Sequence, residues 1–117
     1  MRHHVILIPG FFAFAGLGDL HYWHGVDTVL LAAFNRQGLD VDILEIETQP
    51  TASIRYRAAR VLDAIALVAA RAEGPIHLIG HSTGGLDARL AISPYASLAT
   101  PTDPAVMKRV ASIVTVA

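Results

Sequence analysis

Apolar positions along this chain fall into short solid runs that alternate with stripes at helical spacing. Residues 4–8, His-Val-Ile-Leu-Ile, form a β-branched run ended by Pro9-Gly10, the pattern of a short buried strand. Residues 23–37 read as a helix, with Val26, Val29, Leu30, Ala33 and Phe34 on one face and Gly38 as its stop. Residues 39–46 predict a second strand, and residues 48–51 a turn around Pro50. The clearest helix spans 53–73: Ile54, Ala58, Val61, Leu62, Ile65 and Val68 make its apolar stripe, while Arg55, Arg57, Arg60 and Asp63 occupy other faces. Gly74-Pro75 ends it. A third strand at 76–80 runs directly into a helix that stops before Pro94. A Pro/Ser/Thr loop over 93–104 and a fourth strand at 110–117 follow.

Strands alternating with helices predict βαβ units, a parallel sheet and the α/β class. Each crossover should be right-handed. A sheet order of second-first-third-fourth reverses the chain between the first and third strands, and ligands in such sheets bind beyond the carboxyl ends of the strands at that point. Both the loop after residue 8 and the turn at residues 80–84 lie at such ends.

Composition narrows the class. A chain of 117 residues, 53% apolar and 16% charged, suits one small domain with a large buried core. Net charge is −1, and the basic residues are mostly arginines spread along helices, so no nucleic-acid footprint is expected. No cysteine is present, which removes disulfides and thiolate metal sites. His21 and His24 are three apart, too few ligands for a metal. His3 and His4 read as surface or tag-like residues. The uncharged stretch 5–18 imitates a signal peptide, with Ala13-Phe14-Ala15 in place of a cleavage site. Pro9-Gly10 would break such a helix, and the run is too short to span a membrane. The expectation is a strand and functional loop, no transmembrane segment, and a cytoplasmic protein.

The chemistry concentrates at Gly80-His81-Ser82-Thr83-Gly84, between the third strand and its helix. Strand, G-x-S-x-G, helix is the arrangement of a nucleophile elbow, in which a tight turn exposes the serine Oγ. An ordinary glycine-rich turn with a surface serine shares the letters. Read as an elbow, Ser82 is the nucleophile and needs a base to take its proton. The oxyanion donors are then the backbone N–H of Thr83 and one from the loop after the first strand, where Gly10 lets the backbone turn inward at Phe11. Without Ser82, Pro9-Gly10 would be only a strand-ending turn. Phe11, Phe12, Phe14, Leu17 and Leu20 crowd that loop, either as core or, for Phe12, Phe14 and Leu17, as the wall of an acyl pocket. His81 adjoins the nucleophile, but neighbouring side chains diverge, so its expected role is packing or hydrogen bonding under the elbow. Asp87 and Arg89 are expected to make structural ion pairs or caps, and Asp63 to face solvent.

Three patches carry a family resemblance: His4-Val5-Ile6-Leu7-Ile8-Pro9-Gly10-Phe11-Phe12, Tyr22-Trp23-His24-Gly25-Val26, and the stretch from Gly80 to Arg89. Together they resemble the amino-terminal half of a bacterial triacylglycerol lipase of the α/β-hydrolase fold. The resemblance implies that Ser82 is the nucleophile, and that Phe11 and Thr83 supply the oxyanion N–H groups. The family's histidine before the glycine of the first loop is replaced here by Pro9. It also implies an acyl ester or lipid substrate, no cofactor, and a Ser–Asp/Glu–His order along the chain. No residue here matches the acid or base. The expectation is therefore that residues 1–117 are the amino-terminal part of a single hydrolase domain. Acid and base would lie outside them, this part alone would be inactive, and the last strand would be an exposed apolar edge prone to pairing. An acyltransferase or thioesterase with the same nucleophile, and a non-catalytic binding module, are the other readings.

Overall fold

The computed structural model describes residues 1–10, 23, 25–49, 51–98 and 100–117. Its elements alternate as the apolar pattern requires: β1 (Arg2–Ile8), α1 (Val26–Arg36), β2 (Asp40–Glu45), α2 (Ile54–Arg71), β3 (Ile76–His81), α3 (Thr83–Ile92), α4 (Pro104–Met107) and β4 (Val110–Val116). The strands form one parallel sheet of order β2-β1-β3-β4. In this order the chain reverses direction between β1 and β3. Because successive crossovers from β1 run in opposite directions, right-handed connections place α1 on one face and α2 on the other.

Strand parity sorts the core accordingly. Ile6, Ile8, Ile76 and Leu78 point to the face covered by α2 and α3, where they meet Ala58, Val61, Leu62, Ile65, Ala88 and Ala91. Val5, Leu7 and Val41 point the other way, towards Trp23 and the half-buried Val26, Leu30 and Phe34 of α1. Ile6, Leu7, Ile8, Ile76 and Leu78 are fully buried. β1 therefore reads as a solid apolar run, whereas β3 alternates buried with half-buried positions.

The helix ends follow local chemistry. Gly25, at φ 79°, precedes α1 and starts it later than residue 23. Gly38, at φ 72°, closes it in a Schellman motif, with Leu39 N–H donating to Phe34 O at 2.9 Å and Gly38 N–H to Asn35 O at 3.0 Å. Ser53 caps α2 by accepting from Tyr56 N–H. At the other end of α2, the Arg109 guanidinium, at the start of β4, donates to the carbonyls of Ala69, Ala72 and Gly74.

Three sequence expectations change. Val29 is 65% exposed, because α1 lays only a narrow stripe on the sheet. His4 is buried: parity turns it towards α2, where its Nε2 hydrogen-bonds Glu73 O at 2.7 Å. His3 faces the opposite side and stacks on His77. The short helix α4, capped by Asp103 with Pro104 in its first turn, begins at the last residue of the expected loop and runs through residues for which the sequence predicts no element. Among the described residues, no helix is long and apolar enough to cross a membrane.

Candidate functional site

The carboxyl ends of β1 and β3 carry the site. β3 leads without a spacer into α3 through Ser82, the one non-glycine residue at positive φ among those described (φ 55°, ψ −125°). A side chain held there stores strain, which persists only where the surroundings over-determine it. Here they do. Ser82 N–H donates to Val116 O at 2.7 Å, and Ser82 O accepts from Gly85 N–H at 3.1 Å.

The glycines explain how strand and helix pass so closely. A Cβ on Gly80 would lie 2.5 Å from Gly84 O and Gly85 N. One on Gly84 would press into the carbonyls of Ile8 and Pro9 at the end of β1, and one on Gly85 would lie 3.0 Å from Thr115 Cγ2 on β4. No side chain fits at positions 80 or 84 without the backbone moving.

Ser82 is exposed, and no described residue hydrogen-bonds its side chain. Thr83 opens α3, and its N–H finds no acceptor among the described residues. First-turn N–H groups and the aligned peptide dipoles of a helix favour negative charge at this end. Pro9 and Gly10 are buried, and the Pro9 carbonyl lies directly behind Gly84. Phe11, Phe12, Phe14 and Leu17, the predicted oxyanion donor and acyl-pocket residues, lie outside the described residues, as do His21, Tyr22 and His24.

The described histidines are engaged elsewhere. His81 points to the face opposite α3, with its ring edge-on to Trp23 at a centroid distance of 6.3 Å. His3 Nδ1 and His77 Nε2 share a hydrogen bond of 2.9 Å, and His77 Nδ1 reaches Ser112 Oγ at 2.7 Å. That chain sits towards the amino ends of the strands, with His77 five residues before Ser82 and so about 16 Å from it. Burial, and then the neighbouring His3, hold the His77 imidazole below its ordinary pKa. No cluster of three metal-ligating side chains occurs among the described residues.

Beneath the elbow lies a feature the sequence foreshadows only in part. Asp87 on α3 is wholly buried. Its two carboxylate oxygens each accept from Arg57 Nε at 3.0 Å, and Arg57 Nη1 donates to Ala52 O at 2.5 Å. Burial pushes the Asp87 carboxyl upward, while the Arg57 hydrogen bonds and charge pull it back. An ion pair for Asp87 is as expected. Arg57 as the partner is not legible, because it stands 30 residues away on a helix face off the apolar stripe.

Comparison with known proteins gives a fold. No protein-family model matches the chain, and no curated protein matches it. The crystal structure of the metagenomic carboxyl esterase MGS0156 superposes with a TM-score of 0.58 at 18% identity, over 96% of this chain. The chain spans 29% of that structure's length. The likeness is one of architecture: a parallel four-stranded sheet with flanking helices, matching part of that esterase's structure.

Proposed function

We propose that this chain carries the nucleophile-bearing part of a serine ester hydrolase of the lipase or carboxylesterase type. The observation that carries this reading is Ser82, held at positive φ between a strand and a helix that only glycines allow to meet. The esterase-like fold supports it.

In this reading Ser82 Oγ attacks the ester carbonyl carbon as a histidine base takes its proton. The carbonyl oxygen becomes an oxyanion held by the Thr83 and Phe11 N–H groups. Collapse expels the alcohol, protonated by the same histidine, and leaves an acyl ester on Ser82. Water, deprotonated by that histidine, then releases the acid and restores Ser82. Loss of one oxyanion donor would cost about 10²–10³ in rate. Base and acid are assigned outside residues 1–117, which form the amino-terminal part of one catalytic domain. Leu86, in the first turn of α3 and 53% exposed, offers apolar surface that an acyl group of some length would use in this reading. Phe12, Phe14 and Leu17 complete the acyl wall.

The test is intact-mass spectrometry of the full-length natural protein with a fluorophosphonate probe. One adduct on the wild type, none on Ser82→Ala, and a fall in ester turnover of about 10⁵-fold or more are expected. A wild type that takes no adduct, or a Ser82→Ala variant with wild-type turnover, overturns the assignment in favour of a binding module. Acyl transfer to a thiol or alcohol in preference to water would move it to the acyltransferases.

A further inference from the structure

Whatever fixes α3 fixes the surroundings of Ser82. The helix carries Ser82 and the Thr83 N–H at its amino end, and through Gly84 it rests on the carbonyls that lead into the first loop. A shift of α3 therefore moves the nucleophile and one oxyanion donor together, relative to the other donor's loop. Yet the buried positions of α3 are small: Gly84, Gly85, Ala88 and Ala91, with Asp87 the exception. Small side chains form shallow ridges, so apolar packing sets how near α3 lies but holds its axial position and rotation weakly. Directional, charge-assisted hydrogen bonds hold both.

Asp87 supplies them from the middle of that stripe, one turn beyond Gly84. Its partner is itself anchored: Arg57 is 12% exposed along its side chain, its N–H donates to Ser53 O at 3.0 Å, and Nη1 reaches back to Ala52 O. The guanidinium thus ties the end of the β2–α2 connection, the first turn of α2 and the middle of α3 into one unit. A buried pair of this kind stabilises a fold little beyond what a well-packed apolar pair would. Its distinctive contribution is geometric.

We propose that Arg57 and Asp87 are positioning residues for the nucleophile: the pair sets the seat of α3, and with it the placement of Ser82 and the Thr83 N–H. This rests on the reading of Ser82 as a nucleophile. Displacements of about 1 Å at a reacting group cost on the order of 10²-fold in rate.

The decisive variant is the double substitution Arg57→Met/Asp87→Leu in the full-length protein, which replaces the pair by apolar groups of similar volume. The readouts are the thermal unfolding midpoint, kcat and KM on a short p-nitrophenyl ester, and the rate of fluorophosphonate labelling. The expected result is a midpoint at or above that of the wild type, with kcat and labelling rate about tenfold or more lower and KM within about twofold. A merely structural pair predicts that activity returns along with stability, and that result overturns the proposal. Asp87→Asn keeps the shape and one acceptor and serves if the double variant does not fold: a tenfold fall in kcat with one label still taken up supports the proposal, and wild-type kcat overturns it. Failure of the underlying reading shows differently, as a wild type that never labels. A wild type that labels at Ser82 with kcat indifferent to both variants overturns the positioning role alone.

Discussion

Ser82 occupies a conformation that costs a side-chain-bearing residue about 1–3 kcal/mol, and glycine pays none of it. Ser82→Gly should therefore raise stability by about 1 kcal/mol in urea titration, and Gly84→Ala, forced against two carbonyls, should lower it by about 1–3 kcal/mol. Equal stability of the two variants would contradict the geometry. His77 makes a pH prediction. Its folded pKa lies below the ordinary 6.5, so as pH falls the unfolded chain binds the proton first and stability drops, beginning near 6.5 and levelling off below the folded value. Urea midpoints from pH 8 to pH 5 should fall more in the wild type than in His77→Gln; parallel curves would refute the assignment. At this scale the sequence was legible where chemistry is local. The elbow's five letters imply the strain seen at Ser82. The burial of His4 was not legible, since it depends on strand parity and on a carbonyl 69 residues away.

Elements are legible in the sequence where periodicity is long. The stripe of α2 is buried at Ala58, Val61, Leu62 and Ile65, as the 3.6-residue spacing requires. Its first residue, Ile54, is 37% exposed, and Val68 is only partly buried. The four-residue α4 is too short to show a period, although Asp103-Pro104 is a helix-start signal. What closes α2 was hidden, because Arg109 arrives from β4. By satisfying three carbonyls it does the work of a C-cap and joins the two elements. Arg109→Ala should cost about 1–3 kcal/mol and Arg109→Lys recover only part of it, since an ammonium cannot present the same fork. Chemical denaturation of the three proteins gives the comparison, and an unchanged midpoint for Arg109→Ala would show that the carbonyls are content with water.

At the scale of the molecule, one sheet is covered unequally. α2 and α3 bury one face, and α1, which has no fully buried residue, shields part of the other. β4, at one edge, leaves Val114 and Val116 about half exposed. Local opening should follow this asymmetry. In native-state hydrogen exchange, amides of Ile6, Leu7 and Leu78 on the central strands should be the slowest and those of α1 markedly faster; α1 amides as slow as β1 would count against this layering. The glycines of the elbow bear on descent. Gly80 is blocked by its own helix and Gly84 by the end of β1, while Gly85 is tight against Thr115 of β4. Three separate neighbours crowd the same atom, so no single compensating change elsewhere can release all of them. Gly85 can be exchanged in step with Thr115, whereas Gly80 and Gly84 face main chain, which no substitution shortens. A lineage that keeps this turn must inherit those two unaltered, and one that loses either has to rebuild the junction before strand and helix can meet in this way again.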